Sequence, residues 1–526
     1  MKKSRFAAIA VAASLVTMSV VAIAPAAHAS SSCDAQQSGS LIIEVCTGTT
    51  SDGAKYEYRT NTENFNGTVY LWSHGYRYNF NLPPGIEPAG GTTPYIVDMS
   101  PEVGPAPAVV QSLLEAGFAV AGSGFSSQGW NVAEAVKTNV ELIGILKSDL
   151  PDTKGVIAWG ASRGGFITQA LAERHPKLIK SAAPICTAAG NVNAELVYAQ
   201  DLLWGLKTFF DPSITVSGYA AGPAGVGQAA LNLQKVVKVL EHIGGTILEA
   251  NPANTWPATS TMPASIKAIP ARSALVLVGL MAGVPTQSQH IDGSSFPGTE
   301  TGFALALAPA IAIAQNSGFA AGLGIMATVD LERRLGGTFY DNKATDYAKR
   351  IADERASFNV ALSGNNAIDG MLSILSSPLA PRITASPAGA SGMKSLLAHK
   401  GKAMVPTITM TGTADMITPP GNSQWLADKN AKNSKKFLPL WVETADKWTK
   451  FTATGSPDRS GTAWPSGTGH CKFTGDQIMT VAKFAASAAR TGSVPSNASV
   501  EKAVAKVDGL LFDRAFSVPL LKYYQK

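Results

Sequence analysis

The chain reads as an α/β protein, with a mainly parallel sheet, helices on both faces and one large, mostly helical insertion. Three observations carry this reading. Short apolar runs alternate with stretches of helical periodicity up to Cys186, and the alternation resumes at Val405. Between residues 191 and 403 the pattern is helical, with Pro-rich connections and almost no strand-like runs. Finally, Gly160-Ala-Ser-Arg-Gly164 joins the apolar run Gly155-Val-Ile-Ala-Trp159 to a helical pattern over Gly165–Arg174, which is the order of a sharp strand-to-helix turn.

Taken in order, Lys2, Lys3 and Arg5 precede an apolar stretch from Phe6 to Ala24, and Ala27-His-Ala29 follows. This is the pattern of a secretory signal peptide over residues 1–29, with Ser30 opening the mature chain and an extracellular or periplasmic destination. Loss of those three basic residues lowers the net charge from +6 to about +3. No basic block reverses that balance, so a nucleic-acid role is not expected. The mature chain is long enough for an ample core and more than one domain. Its longest apolar stretch, Phe303–Ala314, is broken by Pro309 and followed by Gln315-Asn-Ser317, so it reads as a buried or cleft-lining helix rather than a membrane span.

The expected α/β core has a first part, residues 30–190, and a second, residues 404–526. Strands are expected over Leu41–Val45, Tyr56–Arg59, Val69–Ser73, Phe118–Gly122, Val156–Trp159, Ala182–Cys186 and Val405–Thr411. Helices are expected over Pro107–Ala116, Val132–Leu150 and the segment after Ser162, and within the insertion over Glu195–Phe210 and Gln228–Ala250. An insertion that leaves and re-enters at strand ends would sit over the catalytic face as a cap or lid.

The chemistry is carried by few residues. Glycines flanking Ser162 would let the turn lift its hydroxyl above the sheet edge as a nucleophile. Asp415 follows the strand ending at Thr411, where a carboxylate would hold an imidazole in the right tautomer. Of seven histidines, only His470 comes after Asp415, and it lies in the loop Gly467-Thr-Gly-His-Cys-Lys-Phe473. The order Ser162, Asp415, His470 is that of a catalytic triad. His74-Gly-Tyr76 follows the third strand, so the backbone amides of Tyr76 and Arg163 are the candidate oxyanion donors. The His74 side chain is expected to be a buried hydrogen-bonding group rather than a base.

Four cysteines in an exported chain point to disulfides, because no Cys/His cluster has zinc spacing. Of the three possible pairings, Cys33 with Cys46 is the local one, leaving Cys186 with Cys471. The second bridge would tether the histidine loop to a strand end.

On these residues the chain resembles the secreted bacterial serine hydrolases of the α/β-hydrolase superfamily. Four stations carry the resemblance: Ser73-His-Gly-Tyr76, Gly117–Ser123 with Gly129-Trp130, the turn around Ser162 with Glu173-Arg-His-Pro176, and Gly469–Thr474. Similar proteins often have Met or Tyr after the nucleophile; Arg163 here puts a cation beside the site. Tannase and feruloyl-esterase relatives carry a cysteine immediately before the serine, bridged to one after the histidine. Position 161 is alanine, so that family is not assigned.

The expected function is hydrolysis of a carboxylic ester, from a small-molecule or oligomeric substrate, through an acyl-enzyme on Ser162, with no metal and no organic cofactor. Two alternatives stay open. One is a serine aminopeptidase, which would need an acidic anchor for the substrate amine that sequence does not single out. The other is an inactive binding protein on the same fold.

Overall fold

The computed structural model describes residues 31–82, 84, 94–190, 192–296, 302–396 and 398–518, so the signal-peptide reading of residues 1–29 lies outside the described residues. The described strands are β1 (Ser32–Ser38), β2 (Leu41–Thr49), β3 (Lys55–Thr60), β4 (Thr68–Ser73), β5 (Ala119–Ser123), β6 (Gly155–Ala161), β7 (Ser181–Ile185), β8 (Thr407–Gly412), β9 (Phe437–Val442) and β10 (Leu510–Leu511). They form one mixed sheet in the order β1-β2-β3-β5-β4-β6-β7-β8-β9-β10. From β4 to β9 all neighbours run parallel, while β1, β2, β3 and β10 pair antiparallel.

Two of these strands sit where the sequence gives a poor signal. In β9, Pro439 interrupts the apolar run and would normally argue against a strand. It is tolerated because β10 pairs only with Trp441 and Val442, so β9 has a single neighbour at Pro439. The polar β1 pairs along its whole length with β2 and is fixed by the cross-strand bridge Cys33–Cys46.

Alternation along the parallel strands splits the core into two layers. Val69, Leu71, Val156 and Ala158 pack with α2 (Val132–Asp149) and α3 (Arg163–Arg174), whose own preceding helix α1 (Pro107–Glu115) lies on the opposite face. There Tyr70, Trp72, Ile157 and Trp159 join α1 and the later helix over Gly475–Thr491. Both faces are covered, which is why these strands read as nearly continuous apolar runs.

Between β7 and β8 the described residues form helices and no strand. They are α4 (Val192–Phe209), α5 (Pro223–Thr246), α6 (Ala264–Lys267), α7 (Ala271–Ala282), α8 (Gly302–Ala306) and α9 (Ala308–Leu335). The shorter α10 (Tyr347–Arg350), α11 (Glu354–Ser357), α12 (Asn365–Leu375) and α13 (Pro387–Ser395) follow. After β8 come α14 (Gly421–Lys429), α15 (Gly475–Thr491) and α16 (Asn497–Val504). The helical region has its own core, built around Trp204, Phe209, Leu277 and Ile313.

In α9 the structure differs from the sequence reading. Pro309 occupies the first turn, where its missing N–H costs nothing, and the helix runs through Gln315-Asn-Ser317 to Leu335. Asn316 is accommodated because its amide donates to the carbonyls of Pro285 and Gln287, at 2.9 and 2.7 Å. By length and composition α9 could cross a membrane, but 67% of its apolar window is buried in the protein.

Candidate active site

Parallel strands bring their carboxyl ends to one edge of the sheet, where ligands of open α/β sheets bind. The turns after β4, β6, β7 and β8 all emerge there, carrying Tyr76, Ser162, Cys186 and Asp415 in turn. An isolated parallel bridge between Ala414 and Thr468 brings the histidine loop alongside the loop of Asp415.

At the end of β6, Ser162 takes φ 58° and ψ −125°, a strained conformation for a residue with a Cβ. Its amide donates to Ile185 O, and its carbonyl accepts from the amides of Gly165, Phe166 and Ala188. The side chain makes no capping bond to α3, leaving the hydroxyl uncommitted to the helix. The flanking glycines contribute close approach rather than positive φ. A Cβ on Gly164 would lie 1.9 Å from Ser73 O, and one on Gly160 would lie 2.5 Å from Gly164 O. Arg163 opens α3, so its N–H is one of the helix's orphan donors. Gly75, next to Tyr76, lies beside the serine, and a Cβ there would be in ordinary contact with Ser162 Cβ at 3.6 Å.

Asp415 is fully buried and accepts hydrogen bonds from the amides of Ile417 (2.8 Å), Thr418 (2.9 Å) and Cys471 (3.3 Å). His470 Nδ1 stands 3.0 Å from both Asp415 oxygens. An ionised carboxylate only accepts, so Nδ1 carries the hydrogen, and Nε2, 3.4 Å from Cys471 Sγ, is the nitrogen with a lone pair to offer. The Cys186–Cys471 disulfide ties this loop to the end of β7 across 285 residues. Asp415, His470 and Cys471 also converge within 4.8 Å of one another, but Cys471 Sγ is committed to the disulfide, leaving too few donors for a metal.

Behind the turn, the Arg163 guanidinium is buried between the rings of Tyr76 and Phe125, 5.9 and 5.7 Å from their centroids. It donates to Gly129 O and lies 3.3 Å from His74 Nδ1. Burial lowers it to about 9, which leaves it a cation at neutral pH. Burial, with Arg163 and Arg77 nearby, holds His74 far below the usual histidine range, so its ring is neutral and structural.

A cavity of about 80 Å³ includes Ser162, Tyr76 and Arg163 from the sheet side. Its remaining wall comes largely from the helical region, with Glu195 and Tyr198 of α4 and Leu323, Ala327 and Leu331 of α9. A larger cavity, of about 970 Å³ between Asn79, Tyr219 and Thr338, does not include Ser162 and so lies apart from this chemistry.

Sequence reasoning missed Glu195. Asn422 Nδ2 donates to one of its oxygens, and Tyr198 on the same helix donates to Met416 O at 2.6 Å, so α4 is fastened to the loop of Asp415. Protein surrounds Glu195 except where it opens to the cavity, and burial, with Asp415 adding, pushes its carboxyl up to about 8. Nothing in its local sequence sets it apart from a surface helix glutamate; only the packing of α4 does.

The mixed, mostly parallel sheet with helices on both faces fits the α/β-hydrolase fold. No protein-family model matches the chain, and a search of curated proteins found no match. Among solved structures it is similar to an esterase from Aspergillus oryzae, with 13% identity over 76% of this chain and 72% of that one and a TM-score of 0.33. A feruloyl esterase B from the same organism shows 13% identity over the same shares of the two chains, with a TM-score of 0.31. A structure from a study of two prolyl endopeptidases matches at 14% identity over 30% of this chain and 22% of that one, with a TM-score of 0.21.

Proposed function

We propose that the protein is a secreted serine hydrolase that cleaves a carboxylic ester through an acyl-enzyme on Ser162. The observation that carries the reading is His470 Nδ1 at 3.0 Å from both oxygens of the buried Asp415, at the sheet edge where Ser162 also stands. In the proposed reaction His470 Nε2 takes the Ser162 proton as Oγ attacks the ester carbonyl. The amides of Tyr76 and Arg163 receive the negative charge on the carbonyl oxygen, an effect worth ~3 kcal/mol per donor. His470 then passes its proton to the departing alkoxide, and water releases the acid by the same route.

The helical region, residues 191–403, serves in this reading as a cap. Supporting it, α4 and α9 wall the cavity at Ser162, and Asp330 of α9 accepts from Trp130 N at 2.7 Å and Asn79 Nδ2 at 2.5 Å. A cavity of about 80 Å³ suits a small acyl group. Two disulfides accord with an oxidising, extracytoplasmic destination.

Glu195 favours a second reading, the aminopeptidase, because it is an acid in the cavity that could meet a substrate amine. Its preference for the neutral form counts against an anionic anchor at pH 7. The mature protein is to be assayed with p-nitrophenyl acetate and with aminoacyl p-nitroanilides. Ester turnover abolished by Ser162→Ala supports the first reading; turnover of anilides alone, lost in Glu195→Gln, replaces it with the second.

A further inference from the structure

Resting on the proposed ester hydrolysis at Ser162, we infer that Trp464 and Phe319 form an aromatic subsite beside His470 that receives a flat aromatic leaving group of the ester. Trp464 is the one exposed aromatic side chain among the described residues, at 41% exposure. Its ring lies against the backbone of Gly469, the residue before His470, since a Cβ on that glycine would meet Trp464 Cζ3 at 3.5 Å. Its φ of 142° belongs to a region that residues other than glycine rarely adopt, and such residues gather at ligand clamps and active sites.

The ring that backs Trp464 comes from α9. Residues three and four apart share a helix face. Phe319 therefore continues, one turn earlier, the face on which Leu323, Ala327 and Leu331 line the Ser162 cavity. It meets Trp464 edge-on, with centroids 6.2 Å apart and planes at 87°. The loop presenting Trp464 is tied at two points to the segment 290–292 of the helical region. Asp292 accepts from the Thr449 amide and hydroxyl, at 2.8 and 2.7 Å, and His290 Nε2 lies 3.1 Å from Gly461 O. The tryptophan is thus positioned before any ligand arrives, which lowers the ordering cost of binding.

The placement assigns the side of the ester. The group that takes a proton from His470 must lie within hydrogen-bond reach of that ring, and it is the departing alkoxide. The small cavity behind Ser162 is left for the acyl group. The substrate class is then a short-chain acyl ester of an aromatic alcohol or phenol.

The test compares benzyl acetate with cyclohexylmethyl acetate, leaving groups of similar bulk that differ in aromaticity. An aromatic contact of ~0.5–1.5 kcal/mol corresponds to a preference in kcat/KM of about 2- to 13-fold for the benzyl ester. Wild type and Trp464→Phe are expected to show that preference, while Trp464→Ala and Phe319→Leu bring the ratio to about 1. The ratio is read within each variant, so a general loss of turnover does not imitate the result. An equal ratio in wild type and Trp464→Ala overturns the subsite while leaving the ester reading in place. Failure of wild type to react with a fluorophosphonate at Ser162 overturns both.

Discussion

Glu195 gives the protein a stability that should fall as the solution becomes more alkaline. Its carboxyl has an ordinary value of 4.5 and is pushed up to about 8 in the folded chain, first by burial and then by the charge of Asp415. Below pH 4.5 the group is protonated whether the chain is folded or not, and it costs nothing. As pH rises from 4.5 towards 8 the unfolded chain releases this proton and the folded chain keeps it, so stability drops; above about 8 the loss is complete. Each tenfold change in proton affinity is worth about 1.4 kcal/mol, which sets a ceiling of roughly 5 kcal/mol. Glu195 is only partly buried, so solvent screening discounts this ceiling, and a loss of about 2–4 kcal/mol is expected. In Glu195→Gln the amide is neutral at every pH and can still accept the Asn422 bond. Urea unfolding of wild type and variant at pH 4.5, 6.5 and 8.5 measures the effect. The variant should gain on wild type steadily across the series. A stability difference that does not change with pH would mean that Glu195 ionises as a surface glutamate does, and the account of the cavity would be wrong.

Replacing Ser162 with alanine should abolish fluorophosphonate labelling, read by intact-mass spectrometry, with the circular dichroism spectrum unchanged; continued labelling would assign the nucleophile elsewhere. Asp415→Asn should lower kcat on p-nitrophenyl acetate by ~10⁴, and a loss under tenfold would refute its orienting role. Removing the Cys186–Cys471 bridge as a double alanine variant opens a loop of 285 residues. The chain-entropy limit is about 5–6 kcal/mol, so a urea midpoint within error of wild type would contradict the tether. Gly164→Ala should give no soluble protein, because its Cβ would lie 1.9 Å from Ser73 O, whereas Gly75→Ala meets only an ordinary contact at 3.6 Å and should fold.

The parallel strands were legible because both their faces are buried and their apolar runs are short and bounded. The turn at Ser162 was legible because its strand and helix flank it directly. β9 was obscured by Pro439, whose acceptability depends on how far β10 reaches along its neighbour, a fact of the finished sheet. Asn316 concealed the continuation of α9, since polar residues end a helix only when no carbonyl waits for them, and Pro285 and Gln287 supply two. At the site, Asp415 and His470 could be chosen by chain order, but Glu195 and Trp464 could not. Their surroundings come from packing between segments far apart in the chain, Glu195 against Asn422 and Trp464 against Phe319, which leaves no periodic trace.

One helix answers two masters. Ala320 and Leu331 of α9 stand in the wall of the Ser162 cavity and also belong to the apolar cores beneath it, and Leu323 packs against the same helical core. A change that widens the cavity there therefore also removes a contact from the core. Selectivity and thermal endurance should drift together as these positions vary, and variants selected for bulkier substrates should bear compensating replacements deeper in the helical layer.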